Sequence, residues 1–118
     1  MEKLICCDNL LPANHVFTAG LGLIVEGYFD MSEKGLPTEI MEYHTGTGTI
    51  KIELFVGPTR NGPWIEATAA DVASAAAAST INAYLLTLIH HGPWVKSVLT
   101  ASVDTITAAN AWMISKSV

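Results

Sequence analysis

The sequence predicts an all-β protein, an antiparallel β-sandwich of jelly-roll-like design. Three observations carry that prediction. Apolar and polar residues alternate with a period of two over residues 49–56 and 94–103. The stretches between such segments are dense in Gly, Pro and Asn, which make turns. The one segment with strong helix propensity lacks a bulky apolar face to bury. At 118 residues, half of them apolar, the chain is long enough for one core without metals or disulfides. Residues 1–16 read as an extended N-terminal arm and residues 17–118 as a single sandwich domain.

Taken in order, the arm has little periodicity, and Leu10-Leu11-Pro12 favours extended chain. Arms of this kind pack on neighbouring subunits, so Leu4, Ile5, Leu10 and Leu11 are the candidate interface residues. Leu21 to Phe29 reads as a strand whose two glycines suggest a bulge or a close neighbour. Glu39 to Tyr43 is either a short strand or a helical turn after Pro37. In Thr49 to Val56 the even positions are all aliphatic while Lys51 and Glu53 point the other way, the mark of a half-buried strand. Gly57 to Pro63 is a turn, and Trp64 to Thr68 returns, so residues 48–68 form a hairpin.

Ala67 to Ser79 contains eight alanines, but Val72 is its only bulky apolar residue. It therefore supports at most one short helix or helical turn around residues 68–79. Ile81 to Ile89 is a further strand, and His90-His91-Gly92-Pro93 a turn. Trp94 to Val103 then alternates with Val95, Leu99, Ala101 and Val103 on one face. After a turn at Asp104-Thr105, Ile106 to Lys116 is the last strand. Strict alternation there places Ile106, Ala108, Trp112 and Ile114 on one side and Thr107, Ala109, Met113 and Ser115 on the other. Gly62-Pro63-Trp64-Ile65 and Gly92-Pro93-Trp94-Val95 echo each other, two strands entered through the same kind of turn.

No residue pattern names a chemistry. Cys6 and Cys7 are adjacent, which disfavours a disulfide between them, and they lack C-x-x-C spacing; they read as small buried or half-buried thiols. His15, His44, His90 and His91 show no metal-ligand spacing. Gly46-Thr47-Gly48 lacks the G-K-[ST] of a phosphate loop and reads as a hairpin turn. No serine has the G-x-S-x-G context of an elbow nucleophile. Glu26, Asp30, Glu33, Glu39, Glu42, Glu53 and Glu66 read as a solvated face rather than a general acid and base. Trp64, Trp94 and Trp112 read as sandwich volume, with a carbohydrate platform as the alternative. The expectation is a protein that is not an enzyme, with no catalytic residue, no metal and no cofactor.

Charge narrows the partners. Only 14% of residues are charged, against about 25% in an average soluble domain, and the net charge is -5. Six scattered basic residues do not build a phosphate-binding patch, so no nucleic acid is expected. No secretory signal and no apolar run long enough to cross a bilayer is visible, so no membrane is expected and synthesis in a cytoplasm is. Residues 67–118 carry only Asp71, Lys96, Asp104 and Lys116 as charges. A surface so poor in charge points to cover by other subunits.

Four segments together carry a resemblance: Ile50-Lys51-Ile52-Glu53-Leu54-Phe55, Asn61-Gly62-Pro63-Trp64-Ile65, Gly92-Pro93-Trp94-Val95-Lys96, and Ala108-Ala109-Asn110-Ala111-Trp112-Met113. Over residues 48–116 the chain resembles the small β-sandwich virion proteins of tailed bacteriophages. That resemblance implies a capsid decoration or cement protein, assembled in the host cytoplasm and placed on the outer capsid surface. Its partners would be itself, as a trimer or dimer, and the major capsid protein. The alternatives are a tail or neck component of a phage, or a carbohydrate-binding β-sandwich module.

Overall fold

The computed structural model describes residues 5–46, 48–67, 72–74, 81–86, 92–102 and 106–117. Among these described residues ten strands run in chain order: β1 (Ile5–Asn9), β2 (His15–Phe17), β3 (Ile24–Asp30), β4 (Lys34–Gly46), β5 (Ile50–Gly57), β6 (Ile65–Glu66), β7 (Val72–Ser74), β8 (Asn82–Leu85), β9 (Trp94–Ala101) and β10 (Ile106–Ser117). They form two sheets. The first has the order β1-β10-β4-β8, with β2 also on β10; the second has β3-β9-β5-β6, with β7 also on β5. Every pairing is antiparallel.

Two of the strand positions are broken. β4 occupies one edge of β10 over its whole length, so β1 and β2 share the other edge end to end. Similarly, β9 covers one edge of β5, while β6 and β7 divide the other. Counting each broken pair as one position leaves four positions per sheet. The chain changes sheet at β2–β3, β3–β4, β4–β5, β7–β8, β8–β9 and β9–β10. Eight positions in two sheets, with the first strand beside the last, define a jelly roll.

The core lies between the inner faces. Ile50, Ile52, Leu54 and Val56 on β5 meet Val95, Leu99 and Ala101 on β9, and across the sandwich face Phe17, Ile40, Ile106 and Met113. The alternation predicted for β5 and β9 is what the burial shows, because each strand has one face on the core and one outside. Glu39 to Tyr43 is strand rather than helical turn, the middle of β4. Gly27 is the close approach suspected in β3: a β-carbon there would stand 2.8 Å from Ser97 Oγ.

Several expectations change. Residues 1–16 were expected as an arm, but from Ile5 the backbone is zipped along β10, from Ile5 opposite Lys116 to Asn9 opposite Trp112. Leu10 and Leu11 follow at the break between β1 and β2 and are 2% and 4% exposed. As placed, they fill this chain's own core. The break is held by a reciprocal amide pair: Asn14 N donates to Asn110 Oδ1 at 3.0 Å, and Asn110 Nδ2 donates to Asn14 Oδ1 at 3.2 Å. Asn14 has φ 53°, a left-handed conformation that Asn tolerates.

The strict alternation expected for the last strand fails at Ala108, which has φ 49°. Register slips between Thr107 and Asn110 against β4, and between Ile106 and Ala109 against β2. The extra residue of this bulge inverts the phase. Ile106 is buried, and beyond the bulge the inward residues are Ala109, Ala111, Met113 and Ser115. Part of the alanine-rich segment, Val72–Ser74, is strand β7; residues 68–71 and 75–80 lie outside the described residues, as do His90, His91 and the Asp104-Thr105 turn. Gly46 and Gly48 do not make a hairpin, since β4 and β5 belong to different sheets.

Candidate functional site

The outer faces of the two sheets differ in charge. On the second sheet, register aligns Ile24, Thr100 and Lys51; then Glu26, Val98 and Glu53; then Tyr28, Lys96 and Phe55; then Asp30 and Trp94. This face carries carboxylates and amines from three adjacent strands. On the first sheet the aligned outward residues are Cys7, Ile114, Glu39 and Leu85, then Asn9, Trp112, Met41 and Ala83, then Asn110 and Tyr43. Among outward side chains that are described there, Glu39 is the one charge. Leu85, on the edge strand β8, is 86% exposed.

The charged face has internal order. Lys96 Nζ lies 5.9 Å from the Tyr28 ring centroid and 6.0 Å from that of Phe55, and 3.5 Å from Glu26 Oε2. An ammonium between two ring faces is stabilised by their quadrupoles. The Tyr28 hydroxyl donates to Glu26 Oε2 at 2.9 Å, and this hydrogen bond is the main reason its ionisation is pushed above the ordinary phenol range. Arg60 Cζ lies over the Tyr28 ring, 5.4 Å from its centroid, and Trp64 tilts against it with centroids 6.0 Å apart.

Trp64 also borders an apolar groove. Val56, Gly57, Pro58, Pro63, Trp64, Ile65, Gly92 and Pro93 line it, so the two Gly-Pro-Trp turns meet at one end of the sandwich. Gly57 lets them converge: a β-carbon there would lie 2.8 Å from the Pro63 carbonyl oxygen and 2.9 Å from the Trp64 ring. The echo in the sequence thus corresponds to two turns packed around one backbone position.

A polar network is sealed in the interior. Glu42 and His44 are both fully buried and point inward from β4, with Ile40. His44 Nδ1 and Glu42 Oε2 are 2.5 Å apart, Asn82 Nδ2 donates to Glu42 Oε1 at 3.2 Å, and His44 Nε2 meets the Gly48 carbonyl oxygen at 2.9 Å. A carbonyl only accepts, so Nε2 carries a hydrogen, and one further proton lies between Nδ1 and the carboxylate. Both side chains are at 0% exposure. Glu42 is the exception among carboxylates read as a solvated face. Its signal was the period of two, which puts residues 40, 42 and 44 on one side.

The other sequence-derived candidates scatter. Of the interface residues, Leu10 and Leu11 are in the core, Ile5 is in β1, and Leu4 lies outside the described residues. The tryptophans do not form one platform: Trp94 is on the outside of the second sheet, Trp112 on the outside of the first, and only Trp64 joins an aromatic cluster. Cys7 is exposed rather than buried or half-buried, because it faces outward on the edge strand β1. His15 packs edge-on to Phe17 at 4.7 Å. Among the described residues no three His, Cys, Asp or Glu side chains gather as metal ligands, and no helix is long and apolar enough to cross a membrane.

Fold and surface together define a jelly-roll β-sandwich with one charged outer face and one on which, among the described side chains, Glu39 is the one charge. No family model matches the chain, and no curated protein matches it. Among solved structures it is similar to a chain of infectious bursal disease virus, Gt strain, with TM-score 0.44 and 10% identity over 98% of this chain and 31% of that one. A chain of the Gx strain of the same virus is similar with TM-score 0.40 and 11% identity, over 97% of this chain and 30% of that one. The chain therefore spans under a third of the length of either, and neither comes from a tailed bacteriophage.

Proposed function

We propose that this chain is a non-enzymatic structural protein of a virion, of the capsid decoration or cement kind. It would bind the outer surface of a shell of major capsid protein as a dimer or trimer and stabilise that shell. The observation that carries this reading is the partition of charge between the two outer faces. A solvated domain has no physical need to carry one charge among the described outward side chains of a whole sheet, whereas a surface destined for burial does, since desolvating unpaired charge is costly. Jelly rolls recur among viral capsid domains, which supports the same reading. Placed this way, the first sheet faces the shell and the acidic second sheet faces out.

Co-sedimentation with shells of the major capsid protein tests the proposal. The double variant Asn9→Lys, Leu85→Glu alters two exposed positions on the uncharged face. It should keep the urea midpoint and lose shell binding by tenfold or more, while Lys51→Glu on the opposite face should bind as the native chain does. Failure of the native chain to sediment with shells, or loss of binding only in Lys51→Glu, would overturn it.

A further inference from the structure

The turn after β5 carries Arg60 and Asn61 past the edge of the charged sheet, and Thr59 fixes its shape. Thr59 Oγ1 donates to the Gly62 carbonyl at 2.8 Å, Asn61 N donates to Thr59 Oγ1 at 3.2 Å, and Gly62 N donates to the Thr59 carbonyl at 3.0 Å. Beside it lies a polar depression of about 340 Å³ lined by Tyr28, Arg60, Asn61 and Trp64. That volume is at the small end of ligand pockets, which run from about 300 to 1,000 Å³.

We propose that this depression binds a single carboxylated pyranose, a sugar acid of the uronic or sialic type. Trp64 supplies an apolar ring face for the C–H face of a sugar, and Tyr28, tilted 48° to it and covered by Arg60 and Lys96, backs the site. Asn61 offers both a donor and an acceptor for hydroxyls. Arg60 selects the acid: its guanidinium carbon lies over Tyr28, 5.4 Å from the ring centroid, and among the described residues no carboxylate is in ion-pair range of it. The other cation of the cluster, Lys96, is already engaged by Glu26. A guanidinium can take a carboxylate bidentately along its planar edge, a geometry an ammonium cannot reproduce. The site is independent of the capsid reading, because it is tested on the isolated chain. If both hold, the sugar site lies on the face turned away from the shell.

Titration of the ¹⁵N-labelled chain with methyl β-D-glucuronoside and N-acetylneuraminic acid, against methyl β-D-glucoside as neutral control, reads the site by NMR. At least one of the acids should shift the amides of residues 59–62 and the Trp64 indole saturably, with Kd on the order of 1 mM, as befits a small ligand of few atoms. The glucoside should bind about tenfold more weakly. Arg60→Gln should reduce the acid to the level of the glucoside, the loss expected for a hydrogen bond to a charged group, and Asn61→Ala should weaken both sugars alike. Because Arg60 and Asn61 are exposed, both variants should fold as the native chain does. The proposal is overturned if neither acid gives a saturable shift, if acid and neutral sugar bind equally, or if the shifts fall elsewhere in the spectrum.

Discussion

Replacing Glu42 tests how the interior is held together. Glu42→Leu removes the oxygen that meets His44 Nδ1 at 2.5 Å and the one that accepts from Asn82 at 3.2 Å. It leaves a fully buried imidazole without its carboxylate, and breaking a buried pair from one side costs about 3–5 kcal/mol. Glu42→Gln is different. The new amide can donate to a neutral Nδ1 while its carbonyl still accepts from Asn82, and Nε2 goes on donating to Gly48. Every hydrogen bond survives, so the cost should stay near 0.5–1.5 kcal/mol, about one neutral hydrogen bond. In urea, where m is about 1–3 kcal/mol/M, the two variants should differ in midpoint by about 1–3 M at unchanged m. The double variant Glu42→Met, His44→Leu should recover much of the loss, since an apolar pair of similar volume often matches a buried ion pair. Glu42→Leu within about 1 kcal/mol of the native protein, or Glu42→Gln as costly as Glu42→Leu, would refute the reasoning.

Two further outcomes follow from single positions. Gly48→Ala would place a β-carbon 2.7 Å from both Ile106 Cγ1 and Ser102 Oγ beside the carbonyl that His44 uses, so overpacking should cost about 1–3 kcal/mol by urea unfolding; a neutral result would mean that the β4–β5 connection yields freely. Asp30 accepts from Ser32 N at 2.9 Å, and this backbone hydrogen bond holds its carboxyl below the ordinary aspartate range. A folded value below the unfolded one gives stability that is present above the unfolded pKa, near 4, and is lost as pH falls through the folded value. The urea midpoint of Asp30→Asn should therefore fall less than that of the native chain between pH 4.5 and 2.5, and an identical acid limb would exclude the effect.

Much of the strand pattern was legible in the residues. Alternation in Ile50 to Val56 and in Val95 to Ala101 needs only a backbone of period two with one face on a core, and both strands obey it. The return at Trp64-Ile65 followed from a turn of Gly, Pro and Asn. The candidate surface was harder to find. Tyr28, Arg60 and Lys96 are widely separated in sequence and meet because β3, β9 and the turn after β5 lie side by side. A period of two puts Ile40, Glu42 and His44 on one side of a strand, but with Met41 and Tyr43 on the other it does not say which side faces the core.

Charge poverty was a property of the chain's last half in the sequence and became a property of one sheet in the structure. Residue types and spacing determine which segments extend, where they turn and how much apolar surface must be hidden, because those preferences are set within a few neighbouring residues. Which strands lie together is decided by long-range pairing: the first strand lies on the last, and a bulge at Ala108 reverses which residues of β10 face the core. Tertiary structure alone turned Leu10 and Leu11 inward, closed the Glu42–His44 pair away from water and gathered Glu26, Lys51, Glu53 and Lys96 onto one face. Each of these depends on contacts between residues far apart in the chain, and no local pattern encodes them.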